Sequence, residues 1–113
     1  MVWQEEHSLP DVMEADWRPA AGLLSALAHP IRLELLRRLL DGARSTADLQ
    51  EIPDLGTTGQ LYHHLRDLQA AGLVVQRGRN HYAVAADKVV PCLILVTAAM
   101  SSTQVPVDTE PAS

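Results

Sequence analysis

The amino-acid sequence predicts a mainly α fold carrying one small β-hairpin, and three observations lead there. The chain has no Phe and only two Trp and two Tyr among 113 residues. Its core must therefore come from Leu, Val, Ile and Ala, side chains that suit helices packed on helices. Between residues 20 and 71 apolar residues recur at helical spacing, bounded by caps and stops. Only two short runs, LVVQR and HYAVA, favour strands, and GRN between them makes a turn. With 47% hydrophobic residues, a chain of this length supports one compact domain and hardly two.

Residues 1–16, MVWQEEHSLPDVMEAD, are weakly periodic and rich in acid, and read as a mobile acidic arm with room for a short helical piece. The domain proper spans 17–101. Asp16 is placed to cap a helix through RPAAGLLSALA, with Pro19 in its first turn and Leu23, Leu24 and Leu27 on one face. His29-Pro30 breaks that helix, because a residue before proline avoids the helical region. Pro30 opens the next, IRLELLRRLLDG, which Gly42 ends. Its buried face is Ile31, Leu35, Leu36, Leu39 and Leu40, while Glu34 and Arg38 pair on the wet side.

STADLQEI gives a short helix capped by Ser45, with Asp48 three residues on and Pro53 as its stop. After the turn PDLG, Thr57 and Gln60 form a capping box for a longer helix that Gly72 closes. Leu61, His64, Leu65 and Leu68 share one side of it; Gln60, Tyr62, His63, Arg66 and Asp67 take the other side or its flanks. The hairpin follows, with Arg77 at its base and Arg79 and Asn80 in its loop. Asp87 is placed to cap a last helix over 88–101 that is apolar nearly all round. Such a helix must be covered on every side, so a second subunit is expected. Residues 102–113 read as a disordered tail.

Composition narrows the function. One cysteine, Cys92, excludes an internal disulfide framework and a cysteine-rich zinc site. The longest apolar run, VVPCLILVTAAM, is twelve residues, short of the roughly 20 a membrane helix needs. With no basic stretch before an apolar one at the N-terminus, a cytoplasmic location is expected. No nucleophile sits beside a base and no glycine-rich phosphate loop is present, so no enzyme activity is expected. The net charge of -5 argues at first against nucleic acid. The charge is unevenly spread, however: residues 57–85 hold Arg66, Arg77 and Arg79 against Asp67 alone, with His63, His64 and His81 alongside.

Helix, helix, short helix, turn, longer helix, hairpin, helix is the order of a winged helix-turn-helix. A helix about 10–12 Å wide fits the DNA major groove, and a hairpin loop with arginines can reach phosphates or the adjacent minor groove. LLSALAHPIRLELLRRLLDG and LYHHLRDLQAAGLVVQRGRNHYAV, in this order and spacing, resemble the ArsR/SmtB-type bacterial transcriptional regulators over residues 20–100. The resemblance implies a homodimer with a helical interface built from the first and last domain helices. That places Leu23, Leu24, Leu27, Leu93, Val96 and Met100 at the contact. It also implies binding to an imperfect palindrome in double-stranded promoter DNA, with occupancy set by a metal ion or another effector.

Thr57, Thr58, Gln60 and Tyr62 stand at the helix start and its first exposed turns, where side chains reach base edges and phosphates. His63 points away from the core and takes the place of an arginine in the family pattern; DNA affinity is expected to rise as acid charges it. Arg66 shares that side, and Arg77, Arg79 and Asn80 are the wing contacts. His64, by contrast, reads as a core-edge histidine, and Arg37 and Arg38 as solvated charges. No cofactor is required. A regulatory divalent metal such as nickel or zinc would need imidazole and carboxylate ligands, for which Glu5, Glu6, His7 and His29 are the candidates.

Neither metal site familiar in the family is intact, because STADLQEI lacks cysteine and the last helix offers only Asp87 and Cys92. The arm residues read more readily as plain solvated charge than as metal ligands. Cys92, among apolar neighbours, reads as buried packing. The alternative to a DNA-binding regulator is a winged-helix dimer serving mainly to bind a protein partner or co-regulator, motivated by the acidic flanks. The same scaffold working without an effector stays open beside it.

Overall fold

The computed structural model describes residues 8–104. The arm contributes α1 (Leu9–Glu14), capped by Ser8 and exposed except at half-buried Val12. The domain then runs α2 (Ala20–Leu27), α3 (Pro30–Leu40), β1 (Arg44–Ser45), α4 (Thr46–Leu49), α5 (Thr58–Ala70), β2 (Val74–Gln76), β3 (His81–Val84), a 3-10 turn (Ala86–Lys88) and α6 (Val89–Gln104). The sheet has three antiparallel strands in the order β1-β3-β2, with Arg44 opposite Tyr82 and Gln76 opposite Tyr82 on its other edge. No described helix is long and apolar enough to cross a membrane.

Most helix boundaries fall where local chemistry puts them. His29 is extended and Pro30 opens α3; Asp41 caps it, with Gly42 beyond at φ 134°. Ser45 accepts the Asp48 N–H at 3.1 Å to start α4. α5 closes in a Schellman arrangement: Leu73 N–H donates to Leu68 O at 3.0 Å and Gly72 N–H to Gln69 O at 2.9 Å, with Gly72 at φ 77°.

Two expected caps are not there. Asp16 does not cap α2, which starts at Ala20 behind Pro19; its carboxylate instead accepts from the backbone and guanidinium of Arg18 at 2.9–3.1 Å. Asp87 lies inside the 3-10 turn and pairs with Lys88 Nζ at 3.2 Å. In both cases a cation within two residues gives the carboxylate a stronger partner than backbone amides offer.

The core gathers Leu35, Leu36 and Leu39 of α3, Leu49 of α4, Leu61, Leu65 and Leu68 of α5, and Tyr82 and Val84 of β3. Ile31 and Leu40, expected in the buried face of α3, are only half-buried. The stripe includes Arg32, the one buried charged side chain among the described residues. Its Nε donates to His64 Nδ1 at 3.0 Å and its Nη2 to Asp67 Oδ2 at 2.5 Å, so α3 holds α5 at two points. Asp67 is accordingly half-buried, not part of the solvated side of α5. His63 Nε2 lies 3.4 Å from the same Asp67 oxygen, and the His29 and His64 rings meet edge-on at 5.5 Å.

The turn between α4 and α5 is pinned by buried Ile52 and Leu55 and bent by Asp54 at φ 67° and Gly56 at φ 95°. Gln50 donates to Gly56 O at 3.0 Å. The capping box is complete: Gln60 N–H donates to Thr57 Oγ1 at 3.2 Å, and Thr57 N–H to Gln60 Oε1 at 2.8 Å. A Cβ on Gly56 would fall 1.8 Å from Gln60 Oε1.

Two outcomes follow. Thr57→Ala should cost about 1 kcal/mol of unfolding free energy for the lost cap. Gly56→Ala should cost more, since it adds a strained positive φ and expels the Gln60 side chain; equal urea midpoints for the two variants would contradict this.

A third outcome concerns acid. Burial first, then the Arg32 charge and the His29 and His63 imidazoles, holds the pKa of His64 below its ordinary 6.5. As pH falls the unfolded chain binds this proton first. The His64 contribution is therefore full above 6.5 and lost as pH drops from there through the lower folded value. Urea unfolding should show the stability gap between wild type and His64→Asn narrowing from pH 8 to pH 5; a constant gap would refute the assignment.

Candidate nucleic-acid interface

With Leu61, Leu65 and Leu68 buried and Arg32 gripping one flank, the remaining arc of α5 is forced outward. It carries Thr58, Tyr62, His63 and Arg66, all exposed, with the His63 side chain 61% accessible. Thr57 and Gln60 are exposed too, but their side chains are committed to the capping box. Among the described residues no hydrogen bond engages the Gln60 side-chain nitrogen. The two residues thus build the start of the helix as much as they furnish it.

The wing is shaped by its turn. Gly78 at φ 85° and Asn80 at φ 61° reverse the chain, and Arg77 N–H donates to His81 O at 2.8 Å. Arg77, Arg79 and Asn80 are exposed at the tip. The Asn80 carbonyl accepts the Thr46 N–H at 2.9 Å, which ties the wing to the first turn of α4. β1 supports the same junction. This third strand escaped the sequence reading, since two residues are too short to show alternation.

Ion pairing sorts the cations. Arg18 pairs with Asp16, Arg32 with Asp67, Arg37 and Arg38 with Glu34, Arg44 with Asp41, and Lys88 with Asp87. Arg66, Arg77 and Arg79 form no ion pair among the described residues. The Glu34 carboxyl is held down to about 2 chiefly by Arg37, with Arg38 adding to it, so both guanidinium groups are held by one carboxylate in a trio that keeps one net positive charge. All three uncommitted arginines lie on α5 or the wing, where the sequence placed DNA contacts.

Of the candidate metal ligands, His29 alone lies among the described residues. Glu5, Glu6 and His7 lie outside the described residues. His29 is exposed beside His64, and no group of three or more His, Cys, Asp or Glu side chains in metal-binding arrangement occurs among the described residues. Cys92 is buried, and that burial raises its thiol pKa.

The residues expected at a dimer contact divide three ways. Leu27 is already buried in the protomer's own core. Leu24, Val96 and Met100 line an apolar groove of about 600 Å³ between α2 and α6, and Leu23 is half-buried. Leu93 faces outward with Val90 and Ile94, each 43–49% exposed.

The chain matches the model of a helix-turn-helix domain over residues 27–77. No curated protein matches it by sequence. Among solved structures, HlyU from Vibrio cholerae is 30% identical with a TM-score of 0.63, the match covering 77% of this chain and 97% of HlyU. NolR from Sinorhizobium fredii is 29% identical with a TM-score of 0.62, over 89% of this chain and 97% of NolR. The homodimeric winged helix-turn-helix DNA-binding domain Mb0332 from Mycobacterium bovis shares the fold at 23% identity and a TM-score of 0.65, covering 83% of this chain and 94% of that one. With α4, the pinned turn, α5 and the β2–β3 wing in place, the chain belongs to the winged helix-turn-helix family of transcriptional regulators.

Proposed function

We propose that this protein is a dimeric, sequence-specific DNA-binding regulator of the ArsR/SmtB type, with α5 in the major groove and the β2–β3 wing on the flanking backbone. The observation that carries this is the segregation of uncommitted arginines onto α5 and the wing of an acidic chain. Arg66, Arg77 and Arg79 supply phosphate contacts, which position the protein without reading sequence. Thr58, Tyr62 and His63, on the exposed arc, supply contacts to base edges.

The outward face of α6, with Val90, Leu93 and Ile94, supports pairing with a second copy, and a two-fold dimer would place two α5 helices on two half-sites of a palindrome. A nickel or zinc response would have to draw on the arm, whose Glu5, Glu6 and His7 stand ahead of α1.

Fluorescence anisotropy of a labelled duplex from the protein's own promoter, titrated at about 50 and 200 mM salt, tests the reading. Affinity should fall steeply with salt. Arg79→Ala should weaken all duplexes alike and reduce the log–log salt slope by about 1. Binding that is absent at low salt, or flat with salt, would favour a protein-partner module instead. Adding nickel or zinc to the same titration shows whether occupancy answers to metal.

A further inference from the structure

Burial of leucines alone leaves the setting of α5 loosely defined, because apolar contact is non-directional. Arg32 supplies direction. It is anchored in the first turn of α3, its side chain is 9% accessible, and its guanidinium donates to two different residues of α5. His64 and Asp67 are three positions apart, about 4.5 Å along the helix axis and about 60° around it. Two directional bonds separated in both coordinates resist rotation and sliding together.

Asp67 also stands at the border of the exposed arc. Its Oδ2 accepts from Arg32 on the inside and lies 3.4 Å from His63 Nε2 on the outside. The buried guanidinium is thus two contacts away from an imidazole that faces outward from α5.

We propose that Arg32 is a positioning residue for DNA recognition, fixing the angular setting of α5 and, through Asp67, the placement of His63. This rests on the DNA-binding reading above. It separates two properties that a purely structural arginine would leave linked. Phosphate contacts come from Arg66 on α5 and from Arg77 and Arg79 on the wing, and they tolerate small displacements. Base-edge hydrogen bonds do not, so loss of the Arg32 fork should lower discrimination between sequences more than it lowers overall affinity.

The test uses Arg32→Lys in the full chain. Lysine keeps the charge but cannot donate in fork geometry to both His64 Nδ1 and Asp67 Oδ2. Affinity for the promoter duplex and for a scrambled duplex of equal length is measured beside the urea midpoint. The expected result is near-wild-type scrambled-duplex binding and salt slope, with promoter affinity reduced roughly 10- to 100-fold, equivalent to losing one or two base contacts.

Should Arg32→Lys fail to fold, Asp67→Asn takes its place. It alters the half-exposed partner, leaves the Arg32–His64 bond, and should lower the same ratio. A parallel fall on both duplexes, or an unchanged ratio in a folded variant, overturns the positioning role. Failure of the wild type to prefer its promoter overturns the DNA reading itself.

Discussion

Leu61, Leu65 and Leu68 on α5 are at most 1% exposed, and burying each leucine contributes about 1.5–3 kcal/mol relative to leaving it in water. That constraint decides which arc of the helix can meet anything else. Because helical residues advance by about 100° each, hiding these three turns Tyr62, His63 and Arg66 outward together. The turn before α5 and the Schellman closure after it fix where the stripe begins and ends. The wing follows from the same stripe, since Leu73, the residue that completes the closure, leads straight into β2 and is itself 1% exposed.

An acidic chain can carry a surface suited to DNA because local neutralisation matters more than the total. Glu34, Asp41, Asp67, Asp16 and Asp87 each hold a neighbouring cation, which removes those charges as pairs from the far field. What remains on α5 and the wing is Arg66, Arg77 and Arg79, which form no ion pair among the described residues. Screening sharpens the effect: at physiological salt its length is about 8 Å, so a phosphate beside the wing senses Arg77 and Arg79 more than any charge farther off than that.

Much of this was legible in the sequence, and the parts that were not share a cause. Helix-breaking His29-Pro30, the Thr57–Gln60 box and Gly72 are local signals, readable within four residues, and they stand where expected. Arg32 was not legible because a charged residue is taken as solvated by default; only its phase, on the stripe with Leu35, Leu36 and Leu39, hinted that it turns inward. Asp16 and Asp87 look like caps by spacing, yet each has a closer cation. β1 exists only through its pairing with β3, a contact between residues more than thirty positions apart, and no local pattern encodes it.

α6 shows how far a single chain goes toward covering its own apolar surface. One side of it is spent on the protomer's own core through Cys92, at 1% exposure, and a second side closes the groove with α2. The third side, Val90, Leu93 and Ile94 followed by Thr97 and Ala98 one turn on, is largely apolar and open. These residues recur at three- and four-residue spacing, the pattern by which one helix packs along another. Small side chains at Thr97 and Ala98 let a second backbone approach, so the face suits a like helix better than a bulky ligand.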